Sequence, residues 1–143
     1  MTREFRQNEK GRIEFRDIPI TFRGQDDAPL RFFYVSRKMG KGDLVKAELF
    51  KARFIHGVDV FDKGIVNYLA RSLGLSDAYR KERDALWVNQ LLAEGELKAR
   101  RYEITGTPTV VLQYSLKMDI GRYGNMDKFV ERLPDTIHDL IVQ

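Results

Sequence analysis

An α/β (α+β) domain, in which a block of helices interrupts a small sheet, is the fold class that three features of this sequence predict. Residues 12–16, Arg-Ile-Glu-Phe-Arg, alternate polar and apolar as a half-buried strand does. Residues 26–99 keep helical spacing almost without interruption. After Gly106-Thr107-Pro108-Thr109 come two short β-type runs and then a last amphipathic helix.

Taken in order, Met1 to Lys10 suits the last turns of a helix closed by Gly11. The strand at 12–16 follows. Apolar parity then changes at Asp17-Ile18, giving Ile18, Ile20 and Phe22, so a bulge or strand end is expected near Asp17. Pro19 bars a regular central ladder there.

Four helices are expected next. Asp26 or Asp27 caps the first, which carries Pro29 in its opening turn and ends at Met39-Gly40. Asp43 caps the second, where Leu44, Ala47, Phe50 and Phe54 keep helical spacing up to Gly57. Asp62 opens the third, closed by Gly74, and Ser76 caps a long fourth running towards Arg101. On that fourth helix Val88, Leu92, Gly95 and Ala99 share one face and shrink along it. Such a face suits close approach of another backbone or simple tight helix packing.

Residues 109–112 are then a buried strand and residues 116–120 a half-buried one, with Gln113-Tyr114-Ser115 turning the chain between them. Asn125 or Gly124 starts the final helix, with Met126, Phe129, Val130, Leu133, Ile137 and Leu140 on its inner side. Pro134 should kink or break it.

Composition narrows the chemistry. At 143 residues, 43% hydrophobic and 32% charged, the chain can bury a core, and no apolar run nears the ~20 residues of a membrane helix. The charged start is not a signal peptide, so the cytoplasm is expected for the chain as written. Zero cysteines exclude disulfides, thiolate nucleophiles and thiolate metal sites within it. His56 and His138 stand alone, without the spacing of a metal pair, so no metal is expected. The net charge of +4 resides in residues 1–41, with ten Lys/Arg against six Asp/Glu. Because acids alternate with these bases, a solvated surface is expected and no nucleic-acid partner.

Residues 11–143 resemble the bacterial DsbA-like thiol-disulfide oxidoreductases, a thioredoxin fold with a helical insertion. Arg16-Asp17-Ile18-Pro19-Ile20 is similar to that family's strand ending in proline, and residues 46–52 to its second inserted helix. The most specific match is Ile104-Thr105-Gly106-Thr107-Pro108-Thr109, which resembles the loop before the penultimate strand. The resemblance implies one domain over 1–143, with residues 11–22 and 104–143 as the thioredoxin part and 26–101 as the helical insertion. It implies a cis Thr107-Pro108 bond, and a substrate-binding loop of Gly106, Thr107 and Pro108 that receives extended peptides or protein substrates.

The family's opening strand and its Cys-x-x-Cys, which sits at a helix start and supplies the nucleophilic thiol, have no counterpart in this chain. A chain truncated at the N-terminus is therefore expected, with no catalytic residue, no cofactor and no redox chemistry of its own. Export to the periplasm stays open for a longer parent. Two alternatives remain. One is a glutathione-dependent enzyme similar to 2-hydroxychromene-2-carboxylate isomerases and kappa-class glutathione transferases, which use a serine in the same segment. The other is a non-catalytic peptide-binding or assembly module. The missing central strand would leave open edges at residues 11–17 and 109–113, so a homo-oligomer, most simply a two-fold dimer, is also expected.

Overall fold

The computed structural model describes residues 3–9, 13–112 and 116–142. Its elements follow in the order α1 (Arg3–Asn8), α2 (Ala28–Lys38), α3 (Gly42–Phe54), α4 (Lys63–Ser72), α5 (Ser76–Glu82), α6 (Leu86–Arg101), β1 (Thr109–Leu112), β2 (Leu116–Asp119), α7 (Ile120–Tyr123) and α8 (Met126–Val142). The chain divides into two units, one of Met1–Asp17 with Ala99–Gln143 and the other of Ile18–Lys98.

In the helical unit, α2 is buried from Ala28 to Ser36 except at half-buried Arg31. A helix apolar on every side belongs in the middle of its neighbours. Phe32, fully buried, belongs to one core cluster with Val45 of α3, Val66 and Ala70 of α4, and Leu75 and Tyr79 at α5. Asp26 Oδ1 accepts from the Ala28 N–H at 2.8 Å, while the Asp27 carboxylate turns to Arg31 instead. Gly40, Gly57 and Gly74 take the left-handed φ values of 74°, 63° and 69° that let the chain leave α2, α3 and α4. Asp62 caps α4 by accepting from the Gly64 N–H.

Several expectations need correction. The helical block has five helices, because the long fourth helix is two, α5 and α6, with a break at residues 83–85. No glycine or proline marks that break. The Arg83 carbonyl accepts from the Arg31 guanidinium at 2.8 Å, and a new helix then begins from Ala85, whose carbonyl accepts from Val88 and Asn89. Asp43 lies inside the first turn of α3, whose cap position is Lys41, and Ser76 is the first helical residue after Leu75. The apolar series on α3 is its outer one. Leu44 is 43%, Phe50 59% and Phe54 72% exposed, whereas Val45 and Ala52 face inward.

The shrinking face of α6 meets backbone at Gly95. A Cβ built there would lie 3.3 Å from Ile18 Cγ2 and 3.5 Å from the Pro19 carbonyl oxygen. Gly95→Ala should be near neutral, since a better helix former offsets a tight contact. Gly95→Leu has no room beside that carbonyl and should cost ~1–3 kcal/mol by overpacking. Urea unfolding of both variants checks the contrast, and equal stability would exclude the close approach.

In the other unit, β1 and β2 pair antiparallel with Thr109 opposite Asp119, Val110 opposite Met118, Val111 opposite Lys117 and Leu112 opposite Leu116. Alternation puts Val110, Leu112, Leu116 and Met118 on one face, where they pack with Phe129, Leu133 and Ile137 of α8. The expected turn at residues 113–115 lies outside the described residues. The second strand ends one residue early, before Ile120, because Asp119 accepts from the Arg122 N–H and opens the short helix α7. Asn125 caps α8 through its side chain, which accepts from the Lys128 N–H at 2.9 Å.

Pro134 does not break α8, which runs unbroken through it. The carbonyl that loses its donor belongs to Val130, an exposed residue, so water can take it. The expected strand at 12–16 shrinks to a single bridging residue, Ile13, with Arg12 outside the described residues. Its alternation survives as burial: Ile13, Phe15 and Asp17 are half-buried, and Glu14, Arg16 and Ile18 exposed. Asp17 thus keeps the inner parity in place of an apolar residue. The Arg6 guanidinium makes this tolerable by donating to both its carboxylate oxygens, at 3.0 and 2.6 Å.

Candidate functional site

The loop between α6 and β1 is built from the end of the helix outward. Ile104 N–H donates to the Ala99 carbonyl at 2.8 Å, and Glu103 N–H to Arg100 at 3.1 Å. This paired closure needs a left-handed residue, and Glu103 supplies it at φ 51°, where glycine is usual. From β2, Lys117 Nζ donates to the Glu103 carbonyl at 3.0 Å. The first half of the loop is therefore held by α6 and by the sheet.

Beyond it, residues 105–108 are exposed, and the Thr107-Pro108 peptide is cis. Thr109 Oγ1 donates to the Gly106 carbonyl at 2.7 Å, tying the loop to the first residue of β1. A Cβ at Gly106 would meet nothing within 4 Å, so the glycine leaves open space that the folded chain does not fill. Among the described residues, no hydrogen bond engages the Thr107 backbone. Gly106, Thr107 and Pro108 thus lie together on one exposed bend.

Sequence reasoning missed the residues that hold this bend, Glu103, Thr109 and Lys117. A hydroxyl next to proline at a strand start is a legible signal for Thr109. Nothing local marks Lys117, whose partner is set by strand register.

A cleft of about 360 Å³ opens in the helical unit among Asp26, Asp27, Arg31, Lys63, Tyr79 and Arg83. Its charges are already matched. Arg31 holds Asp27 at 2.9 Å, and the hydrogen bond it donates to that carboxylate raises the guanidinium's pKa above its usual value. Lys63 lies 3.5 Å from Asp26, and Arg83 3.6 Å from Asp84. Burial pushes the Tyr79 phenol up, so it stays neutral. Among the described residues, no group of three or more His, Asp or Glu could hold a metal ion. No helix among them is long and apolar enough to cross a membrane.

A family model described as "DSBA-like thioredoxin domain" matches residues 8–133. A thiol:disulfide interchange protein DsbA of Pseudomonas syringae pv. tomato (strain ATCC BAA-871 / DC3000) is 28% identical over 120 residues, which cover 83% of this chain and 56% of that protein. The chain therefore spans little more than half the length of that relative. No solved structure matches it.

Proposed function

The chain belongs to the family of DSBA-like thioredoxin domains, and we propose that it binds an extended peptide segment at residues 106–108 without performing thiol exchange itself. The observation that carries this reading is the Thr107 backbone, exposed at the head of β1 and free of hydrogen bonds among the described residues. An extended chain laid there finds an N–H and a C=O to pair with, as in strand addition. The open space at Gly106 favours close approach of such a chain. Thiol-disulfide exchange needs an attacking thiolate, and the sequence holds no cysteine. In this reading the chain takes no cofactor, and a protein or peptide is its partner.

The test pairs an activity assay with a binding assay. The pure chain should not turn over a dithiol substrate above background. Titration with a panel of unstructured peptides should shift amide resonances of residues 104–107 and 109 in two-dimensional NMR spectra. Thr107→Pro removes the N–H and should weaken binding at least about fivefold, the worth of one hydrogen bond. Glutathione in place of the peptides tests the competing glutathione-dependent enzyme: shifts from it alone, or turnover in either thiol assay, would overturn the proposal.

A further inference from the structure

The outer face of α3 points to a second docking surface, and we propose that its occupant is α3 of a second copy of this chain, packed antiparallel about a two-fold axis at Ala47. Helix α3 is apolar on two opposite sides. Val45 and Ala52 are buried on one, with Leu49 packed beside them. On the other, Leu44, Ala47, Phe50 and Phe54 lie exposed in one stripe, followed by exposed Ile55 at the end of the helix. The rings of Phe50 and Phe54 lie 5.7 Å apart and form a single apolar ledge. Isolated exposed apolar residues need no explanation, but a contiguous stripe marks an interaction surface.

The stripe is self-complementary. In an antiparallel pair centred on Ala47, Phe50 of one copy falls opposite Leu44 of the other. The small Ala47 sits at the midpoint, where two helix backbones come nearest. The same register sets Asp43 opposite Lys51, both exposed, and the two-fold axis forms that pair twice. A parallel pairing would instead oppose Asp43 to Asp43 and Lys51 to Lys51. The antiparallel register also sets Lys41 opposite Arg53, but in the parallel one every charge meets its like, so the charges favour the antiparallel dimer. A stable interface buries about 800 Å² per partner, and two phenylalanines of ~150–250 Å² each, 59% and 72% exposed, supply roughly a third of that. The dimer is accordingly weak and reversible. It gives the homo-oligomer expected from open strand edges a different surface, one that does not depend on a strand at residues 11–17.

Sedimentation velocity over a series from about 1 to about 300 µM spans the range of a weak dimer. A concentration-dependent dimer is expected. Phe54→Glu should weaken it at least about tenfold, since it puts a charge where an aromatic ring would be buried. Asp43→Lys should weaken it, and adding Lys51→Asp should restore it. Because the chain has no cysteine, Ala47→Cys gives a single thiol per copy, which should oxidise to a covalent dimer faster than the exposed control Ser72→Cys. Far-UV circular dichroism confirms that each variant keeps its helix content. A monomer throughout the series would overturn the proposal, and so would a dimer insensitive to Phe54→Glu and Asp43→Lys, which would place the contact elsewhere.

Discussion

Phe32→Ala should remove about 3–5 kcal/mol of stability, the usual cost of emptying a phenylalanine site in a core. Phe32 is fully buried on the helix that its neighbours surround. Its ring meets Tyr79 edge to face, with centroids 5.3 Å apart. Such a pair adds ~0.5–1.5 kcal/mol beyond area burial. Collapse around the cavity is limited, because Val45 stands on α3 while Val66 and Ala70 stand on α4, and two separate helices cannot both follow one missing ring. Domains of this size have ~5–15 kcal/mol in total, so the variant stands near the edge of folding. Guanidinium unfolding followed by far-UV circular dichroism measures this. Tyr68→Ala, on a side chain 64% exposed, is the control and should change stability by less than ~0.5 kcal/mol. Equal effects of the two changes would mean that α2 is not the centre of the helical unit.

Arg31→Met should cost about 2–3 kcal/mol, in proportion to the charge-assisted hydrogen bonds it deletes. One guanidinium donates twice to Asp27, at 2.9 and 3.1 Å, and from Nη1 to both the Arg83 carbonyl and Asn89 Oδ1 at 2.8 Å. It joins the start of α2 to the turn between α5 and α6. Arg31→Lys keeps the charge but replaces a planar fork with a point donor, and should recover less than half of the loss. Hydrogen exchange locates the damage: amides of residues 83–89 should exchange faster in Arg31→Met than in the parent chain. Unchanged exchange there would show that the turn stands without Arg31.

These two residues also show what could be read in advance. Local chemistry was legible. Gly40, Gly57 and Gly74 end helices because they reach positive φ cheaply, and Asp62 and Asn125 cap helices because their short side chains reach the free amides. The run at 109–112 pairs as a strand because its β-branched residues suit a pleated surface. The exposed bend at Gly106, Thr107 and Pro108 followed from the resemblance to a family, not from periodicity.

What stayed hidden depends on partners distant in sequence. Arg31 ends α5 from about fifty residues away, and no pattern inside residues 76–101 announces it. The apolar spacing of Leu44, Phe50 and Phe54 identified a helix but not its buried side, since Val45, Leu49 and Ala52 make a second apolar face. Residues 12–16 alternate as a strand should. Alternation describes which side chains face inward, whereas a ladder also needs a neighbour with free backbone groups.

The division of the chain has a consequence for the order in which it folds. The helical unit is continuous from Ile18 to Lys98, and its core joins helices that are near neighbours in sequence. The sheet-bearing unit draws on both ends of the chain: Ile13 packs with Met118, Phe129 and Leu133, across more than a hundred residues. Each doubling of a loop costs only ~0.6 kcal/mol in closure entropy, but the search that closes it slows folding. Contacts within residues 18–98 should form early for this reason, which hydrogen-exchange labelling during refolding would show as earlier protection there than at residues 116–119, and once formed they shorten the effective loop that separates Ile13 from α8. The segment around Ile13 is then among the last to find its place, waiting on a helix that follows it by more than a hundred residues.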